Sequence, residues 1–458
     1  MKPLSKNTLL AGATLLGVLL VTFLPVAQSA FDRPFSFFNS QFDYFSTSNL
    51  LEPTFTRTSF EDALLDSSHR IDPTFSVPPA MTEMVRFWMK VYTEYSTQQL
   101  VLFDERHPEL IYEVIDLRPL QKSARNAIVY EILSKRLVKS RMAAFREGFR
   151  RLDSKQFKGV ARNEIEERIL KVLQTSSHTH PYSELLRNLR VQTGQRDNVI
   201  KGLAAAEPYL PKMEKIFEGM EVPKELTRLS LVESSFNLKA TSRVGASGVW
   251  QFMPKSATEY MHVDLARHQF DERRSPIKSS IAAAKLLRRN FSSLNDWALA
   301  ITAYNHGARG MMRFRADEDT AAPNTGEIFQ GCDGAGDLKG RSHGAVSRKH
   351  KSRLGFASRN YYAEFLAMLH AEAYRDVFYG EVPVPFLAPL RFEKLTRTQV
   401  ASQVAKDRGI RMDEFRYLNP DIQSADAQLP RGYRIALPAT EENLSELILI
   451  NHVDHTRL

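Results

Sequence analysis

The sequence predicts a mainly α protein of more than one domain, and three observations carry that reading. Apolar residues recur at three- and four-residue spacing over long stretches, helix-start residues precede several of those stretches, and the β-prone runs are short. With 458 residues the chain exceeds one ordinary domain, and 43% hydrophobic content is normal for globular domains with real cores.

The elements follow in chain order. Lys2 and Lys6 precede an uncharged stretch from Asn7 to Ala30, and Ala27-Gln28-Ser29 offers small residues for cleavage, so residues 1–29 read as a secretory signal peptide. Leu9 to Val26 also reaches the lower length limit of a spanning helix, which leaves a retained anchor as the alternative. Residues 30–80 are rich in Phe, Ser, Thr and Pro and show no clear period, predicting an extended segment that packs over the body or tethers it. Its aromatic cluster, Phe35 to Phe45, reads as burial against the next domain, with membrane contact as the alternative.

Residues 81–190 predict a helical accessory domain. Met81, Met84, Val85, Trp88, Val91, Tyr92 and Tyr95 share one helical face, Gln99–Asp104 and Ile111–Asp116 are short β-prone runs, and helices are predicted over Ser123–Arg151 and Asn163–Gln174.

The central domain is placed at 197–380. Pro223 suits a first helical turn, and Leu226, Leu229 and Val232 recur at helical spacing, so a helix ends near Glu233. Burial and the negative end of the helix dipole would both favour the neutral carboxyl there, making Glu233 a candidate proton donor; a solvated last-turn glutamate is the alternative. Ser275-Pro276 opens an Ala-rich helix through Phe291. Asp296 starts another with Trp297, Ala300, Ile301 and Tyr304 on one face, ended by Asn305-His306-Gly307. From Ala316 to Gly355 the period disappears and glycines alternate with Lys and Arg, predicting a mobile basic insertion over 316–355. A helix resumes from Phe356 through Leu369. Residues 391–438 then read as strand, helix, helix, strand, followed by a tail over 439–458.

A formal net charge of +9 favours anionic polymers or membrane surfaces; no nucleic-acid module accompanies it and the export signal argues against one, so nucleic acid is a weak alternative and is not expected as a partner. Cys332 is the only cysteine, so no intramolecular disulfide forms. No His/Cys/Asp cluster has metal-ligand spacing, and neither a metal nor a cofactor is expected; His306 is expected to be exposed. Oligomeric state is not readable.

Three motifs stand in order: Glu233-Ser234-Ser235-Phe236, Gly245 through Gln251-Phe252-Met253-Pro254, and Ala303-Tyr304-Asn305-His306-Gly307. Together, across roughly Asp197 to Leu369, they resemble the soluble lytic transglycosylase (SLT) family and its lysozyme-like relatives, and Val249-Trp250-Gln251 resembles the membrane-bound lytic transglycosylase D branch. The resemblance implies a lysozyme-like catalytic domain acting on peptidoglycan glycan strands, cleaving between N-acetylmuramic acid and N-acetylglucosamine and leaving 1,6-anhydromuramoyl ends. It implies Glu233 as the catalytic residue, acid and then base, and Ser234, Gln251, Tyr304 and Asn305 as substrate-binding residues. Each of these four also has a structural reading: Ser234 as a cap, Gln251 on loop backbone, Tyr304 in the core, and Asn305 in a left-handed helix end.

Most glycosidases use two carboxylates. Here Glu259, Asp264, Asp271, Glu272 and Asp296 stand in charged or helix-start contexts that fit solvation or capping, and one acid suffices if the substrate supplies its own nucleophile. The segment Ala357-Ser358-Arg359-Asn360-Tyr361 resembles the family's closing Glu-Thr-Arg-x-Tyr, but Ala357 replaces the glutamate, so any contact made by that carboxylate is absent or comes from elsewhere. Residues 391–438 resemble a LysM glycan-binding module, although Thr396-Arg397-Thr398 replaces the usual Gly-Asp-Thr; a capping tail without carbohydrate affinity is the alternative. Periplasmic or cell-envelope location is implied. A lysozyme-type hydrolase and a non-catalytic wall-binding protein remain as rival readings.

Overall fold

The computed structural model describes residues 53–176, 180–318, 354–382 and 390–439. The signal-like segment, the aromatic cluster before residue 53, Cys332, most of the basic insertion and most of the tail lie outside the described residues.

The architecture is mainly α, and its centre is the helix Phe356–Ala373, buried on every side from Ser358 to Ala371. A helix buried on every side has to be enclosed by others. The amphipathic helix Thr82–Thr93 packs along it with Val85, Trp88, Met89 and Tyr92 buried, and Trp88 Nε1 donates to Asn360 Oδ1 at 2.9 Å. Around the same core lie Arg196–Ala206, Leu210–Glu218, Leu229–Ser234, Pro276–Leu294 and Trp297–His306. Thus the apolar stripe beginning at Met81 faces the central domain's core.

Gln99–Asp104 is the middle strand of a three-stranded antiparallel sheet, flanked by Ile111–Asp116 and Leu189–Thr193. Its alternating side chains serve two cores. Val101 and Phe103 join the central core, whereas Leu102 joins a second one with Tyr112, Phe145, Phe149, Ile169 and Leu185. Because successive strand residues point to opposite faces, one strand mortises the accessory helices to the central domain.

Several expected boundaries are corrected. The segment 53–80 is not extended throughout: Arg57–Leu64 is helical, started by a capping box in which Thr56 Oγ1 accepts from Ser59 N at 3.1 Å. The long basic helix begins at Ala127, where Asn126 Oδ1 caps Val129 N, and a separate short helix spans Arg118–Ser123. The helix after Gly307 continues to Glu318, past the expected break at Ala316. The run into Glu233 is two pieces, a 3-10 turn Lys224–Arg228 and the α-helix Leu229–Ser234.

At the C-terminus, Leu390–Lys394 pairs antiparallel with Arg434–Pro438, and the helices Ala401–Asp407 and Met412–Leu418 lie between them in sequence. Asn419 pins this unit: its Nδ2 donates to Phe415 O (2.9 Å) and Ala436 O (2.8 Å), and its Oδ1 accepts from Ala436 N at 2.6 Å.

Candidate active site

Glu233 is the fifth residue of Leu229–Ser234, a helix too short to stand without its buried leucines. It is 3% exposed. The chain then turns sharply: Ser235 and Phe236 both take positive φ (48° and 53°), and Ser235 N closes the helix on Leu231 O. Two consecutive non-glycine residues in that region are costly and persist where packing over-determines them. Gly202 supplies part of that packing, since a Cβ there would stand 2.7 Å from Ser235 O.

The loop Gly245–Met253 folds over the end of this helix. Ser234 Oγ donates to Val249 O at 3.0 Å and accepts from Asn237 N at 3.1 Å, so Ser234 ties the helix end to the loop. Gln251 also has positive φ (48°), and its Nε2 donates to Gly248 O at 2.8 Å. Trp250 is fully buried, stacks on Phe217 and donates through Nε1 to Ser280 Oγ at 2.9 Å. From beneath, Arg273 binds the loop by donating through Nη1 to Gly245 O (2.8 Å) and Phe252 O (3.1 Å).

Tyr304, on Trp297–His306, donates its hydroxyl to Trp250 O at 2.8 Å and packs beside Trp250 and Phe252. Asn305 lies within the helix; the left-handed end falls on Gly307, with φ 90°. Its Oδ1 accepts from Ser358 Oγ at 3.0 Å. Ser358 Oγ also lies 3.1 Å from His306 Nδ1, so His306 is half-buried against the central helix, correcting its expected exposure. Burial, with Arg313 nearby, holds its imidazole below the ordinary value and thus neutral.

The contact that joins these parts is one the motif reading did not single out. Tyr361, from the central helix, donates its hydroxyl to Glu233 Oε1 at 2.5 Å. Burial first, and then the Glu233 charge, push the Tyr361 phenol well above its ordinary range, so it stays a protonated donor. Burial and Glu233 act on Tyr304 in the same direction. A signal for Tyr361 existed, because it occupies the tyrosine of the closing segment, where attention falls on the missing glutamate at Ala357.

The other carboxylates are accounted for. Asp271 is buried rather than solvated and fits the capping alternative: its Oδ1 accepts from Arg273 N at 3.2 Å, and its two oxygens each accept from the Arg273 guanidinium at 2.8 Å. Asp296 caps Leu299 N, Asp264 pairs with His268, Glu259 pairs with Arg289 at the surface, and Glu272 lies 3.2 Å from Lys278. Glu364, on the same helix as Tyr361, is fully buried. A cleft of about 700 Å³ lined by Phe55, Arg57, Phe60, Arg86 and Glu94 contains none of the motif residues.

The fold and site therefore define a lysozyme-like domain with Glu233 buried against Tyr361. Residues 214–325 match the Transglycosylase SLT domain. The chain is 35% identical over 109 residues to membrane-bound lytic murein transglycosylase D of Escherichia coli (strain K12), and equally to that of strain CFT073; the match covers 24% of this chain and 24% of each relative. A protein of Alteromonas sp. (strain M-1) that bears the name of a tributyltin chloride resistance protein is 37% identical over 113 residues, 24% of this chain and 53% of its own length. The matched stretch thus spans about a quarter of the transglycosylase D relatives.

Proposed function

We propose that this protein is a peptidoglycan lytic transglycosylase acting at the cell envelope. The observation that carries the reading is the pairing of a buried Glu233 with the Tyr361 hydroxyl under the Gly245–Met253 loop, in a domain that matches the SLT family.

Glu233 protonates the oxygen between N-acetylmuramic acid and N-acetylglucosamine. The bond to the anomeric carbon breaks, and the muramoyl acetamido oxygen stabilises the oxocarbenium-like charge. The resulting carboxylate then takes the proton of the muramoyl C6 hydroxyl, whose oxygen closes on the anomeric carbon as a 1,6-anhydro ring. No water is consumed, and Glu233 returns to its protonated form, ready for the next bond. Tyr361 steadies the carboxylate between the two transfers, because its phenol donates to the charged form. Gln251, Tyr304, Asn305 and Ser234 shape the sugar sites through the loop and helix end that they hold, with Ser234 and Asn305 acting through backbone and Ser358.

The strand–helix–helix–strand unit over 391–438 is a LysM-like glycan-binding module, a reading supported by the paired outer strands and by the Asn419 pin. The signal-like amino-terminal segment supports a location outside the cytoplasm, and the net positive charge of the chain suits an anionic wall.

Mass spectrometry of purified peptidoglycan digested by the protein tests the reaction. Anhydromuramoyl ends are expected. Reducing ends would assign a lysozyme-type hydrolase, and an undigested glycan would assign a non-catalytic wall-binding protein.

A further inference from the structure

Separate modules on a wall enzyme are commonly joined by flexible tethers that raise effective concentration on a polymer. The contacts of the C-terminal unit with the central domain are of another kind. Phe270, in the two-residue strand Phe270–Asp271 of the central domain, is buried within the C-terminal unit's own core, beside Ile422 and with its ring 4.9 Å from that of Tyr433. Backbone pairing continues across the junction: Gln423 N donates to Gln269 O (2.9 Å), Gln428 N to His268 O (3.1 Å), and Asp271 N to Asp421 O (2.8 Å).

A buried charged node closes the seam. Asp421 is 1% exposed, and its Oδ2 accepts from Lys278 Nζ at 2.6 Å and from Tyr433 Oη at 2.5 Å. The Lys278 ammonium also lies 3.6 Å from the Tyr433 ring centre and 3.2 Å from Glu272. Lys278 belongs to the first turn of Pro276–Leu294, so the node clamps the C-terminal unit to the helix that carries Ser280, the partner of Trp250.

From this seam a continuous set of bonds leads to the catalytic loop. Asp421 O holds Asp271 N; the Asp271 carboxylate holds the Arg273 guanidinium in a two-pronged pair; Arg273 holds Gly245 O and Phe252 O. The loop so held contains Gln251 and the Trp250 carbonyl that accepts from Tyr304.

We infer that Asp421 is a positioning residue for the catalytic loop, and that the C-terminal unit is a fixed wall of the central domain which holds the Gly245–Phe252 loop in its working geometry. A bidentate buried pair with further bonds on each side is geometrically stiff, and its stiffness is lost if one end is released. The unit then matters even for a glycan too short to reach it. The catalytic part of this inference rests on the proposed transglycosylase activity, whereas the structural coupling does not.

Amide hydrogen exchange on full-length protein tests the coupling directly. In Asp421→Asn and Lys278→Met, compared with the parent at a temperature where all remain folded, exchange at the Ser247, Gly248 and Gln251 amides should quicken by about tenfold or more, as expected when a local opening becomes easier. Should either variant fail to fold, Tyr433→Phe removes only the hydroxyl from the node and takes its place. Loop amides that exchange as in the parent, with change confined to 390–439, would overturn the inference.

On a short soluble glycan, the same variants should lose about tenfold in kcat with KM little changed, because a displaced loop misaligns the reacting groups. If the parent cleaves and the variants match its kcat, the positioning role fails; if the parent itself does not cleave, the proposed activity fails, and the exchange result still decides the coupling.

Discussion

Tyr361 and Glu233 stand 128 positions apart in the chain and share a 2.5 Å hydrogen bond in the core of the protein. The glutamate arrives at the end of a six-residue helix, and the tyrosine arrives from the helix around which the whole molecule is packed. Position is therefore imposed on the Glu233 carboxyl by the buried central helix, and on the proposed mechanism this contact would hold an acid that must also serve as a base through both transfers.

Glu233→Gln preserves size and leaves an oxygen to accept the Tyr361 hydrogen bond, so its melting temperature should lie close to the parent's. Turnover should fall by about 10³-fold or more, since the transferable proton is gone. Near-parental formation of anhydro ends, followed by mass spectrometry, would remove Glu233 from the mechanism.

Tyr361→Phe takes away a donor that favours the charged carboxylate. With that donor lost, the alkaline limb of the kcat/KM profile, where the acid must still carry its proton, should move to higher pH, and kcat should fall by about 10-fold or more. A profile superimposable on the parent's would limit the hydroxyl to a packing role.

Gly248→Ala is expected to unfold the loop locally. Gly248 has φ +76°, and a Cβ at this position would stand 1.8 Å from Arg273 O, which is backbone and cannot swing away. Strain in the left-handed region plus the clash should cost roughly 2–4 kcal/mol, read as a lower denaturation midpoint at unchanged m-value.

Asp104→Asn should stabilise the protein at alkaline pH. Asp104 is fully buried in the three-stranded sheet, and burial pushes its carboxyl up to about 7 even though Arg106 N and His107 N donate to Oδ1. Between the unfolded value near 3.8 and about 7 the folded state binds the extra proton, so stability falls as pH rises across that window. The variant escapes this loss, gaining up to about 4 kcal/mol above pH 7 at 1.36 kcal/mol per unit, and the gain should shrink toward zero near pH 4. Equal denaturation midpoints for both proteins at pH 8 would show that Asp104 carries no such penalty.

Local chemistry is what a linear sequence records well. Ser275 before Pro276, Asp296 before Trp297, and the stripe from Met81 to Tyr92 each specify a helix through groups a few residues apart, and the structure has those helices. The helix end at Glu233 was legible for the same reason, as a lone carboxylate closing an apolar run. Boundaries that depend on packing were not. The 3-10 turn before Leu229, with Leu226 and Thr227 buried, is one such case.

The sequence by itself determined the helical class and, in the C-terminal unit, two helices between outer strands, because periodicity and capping act over short range; the inner strand pair Gln399–Val400 and Gln428–Leu429 was not read from it. Tertiary structure alone decided that Tyr361 meets Glu233, that Asn305 answers to Ser358, and that Phe270 of one unit fills the core of another. Those relationships are contacts between residues far apart in the chain, set by how buried surfaces and buried charges find partners once the helices pack, and no local pattern encodes them.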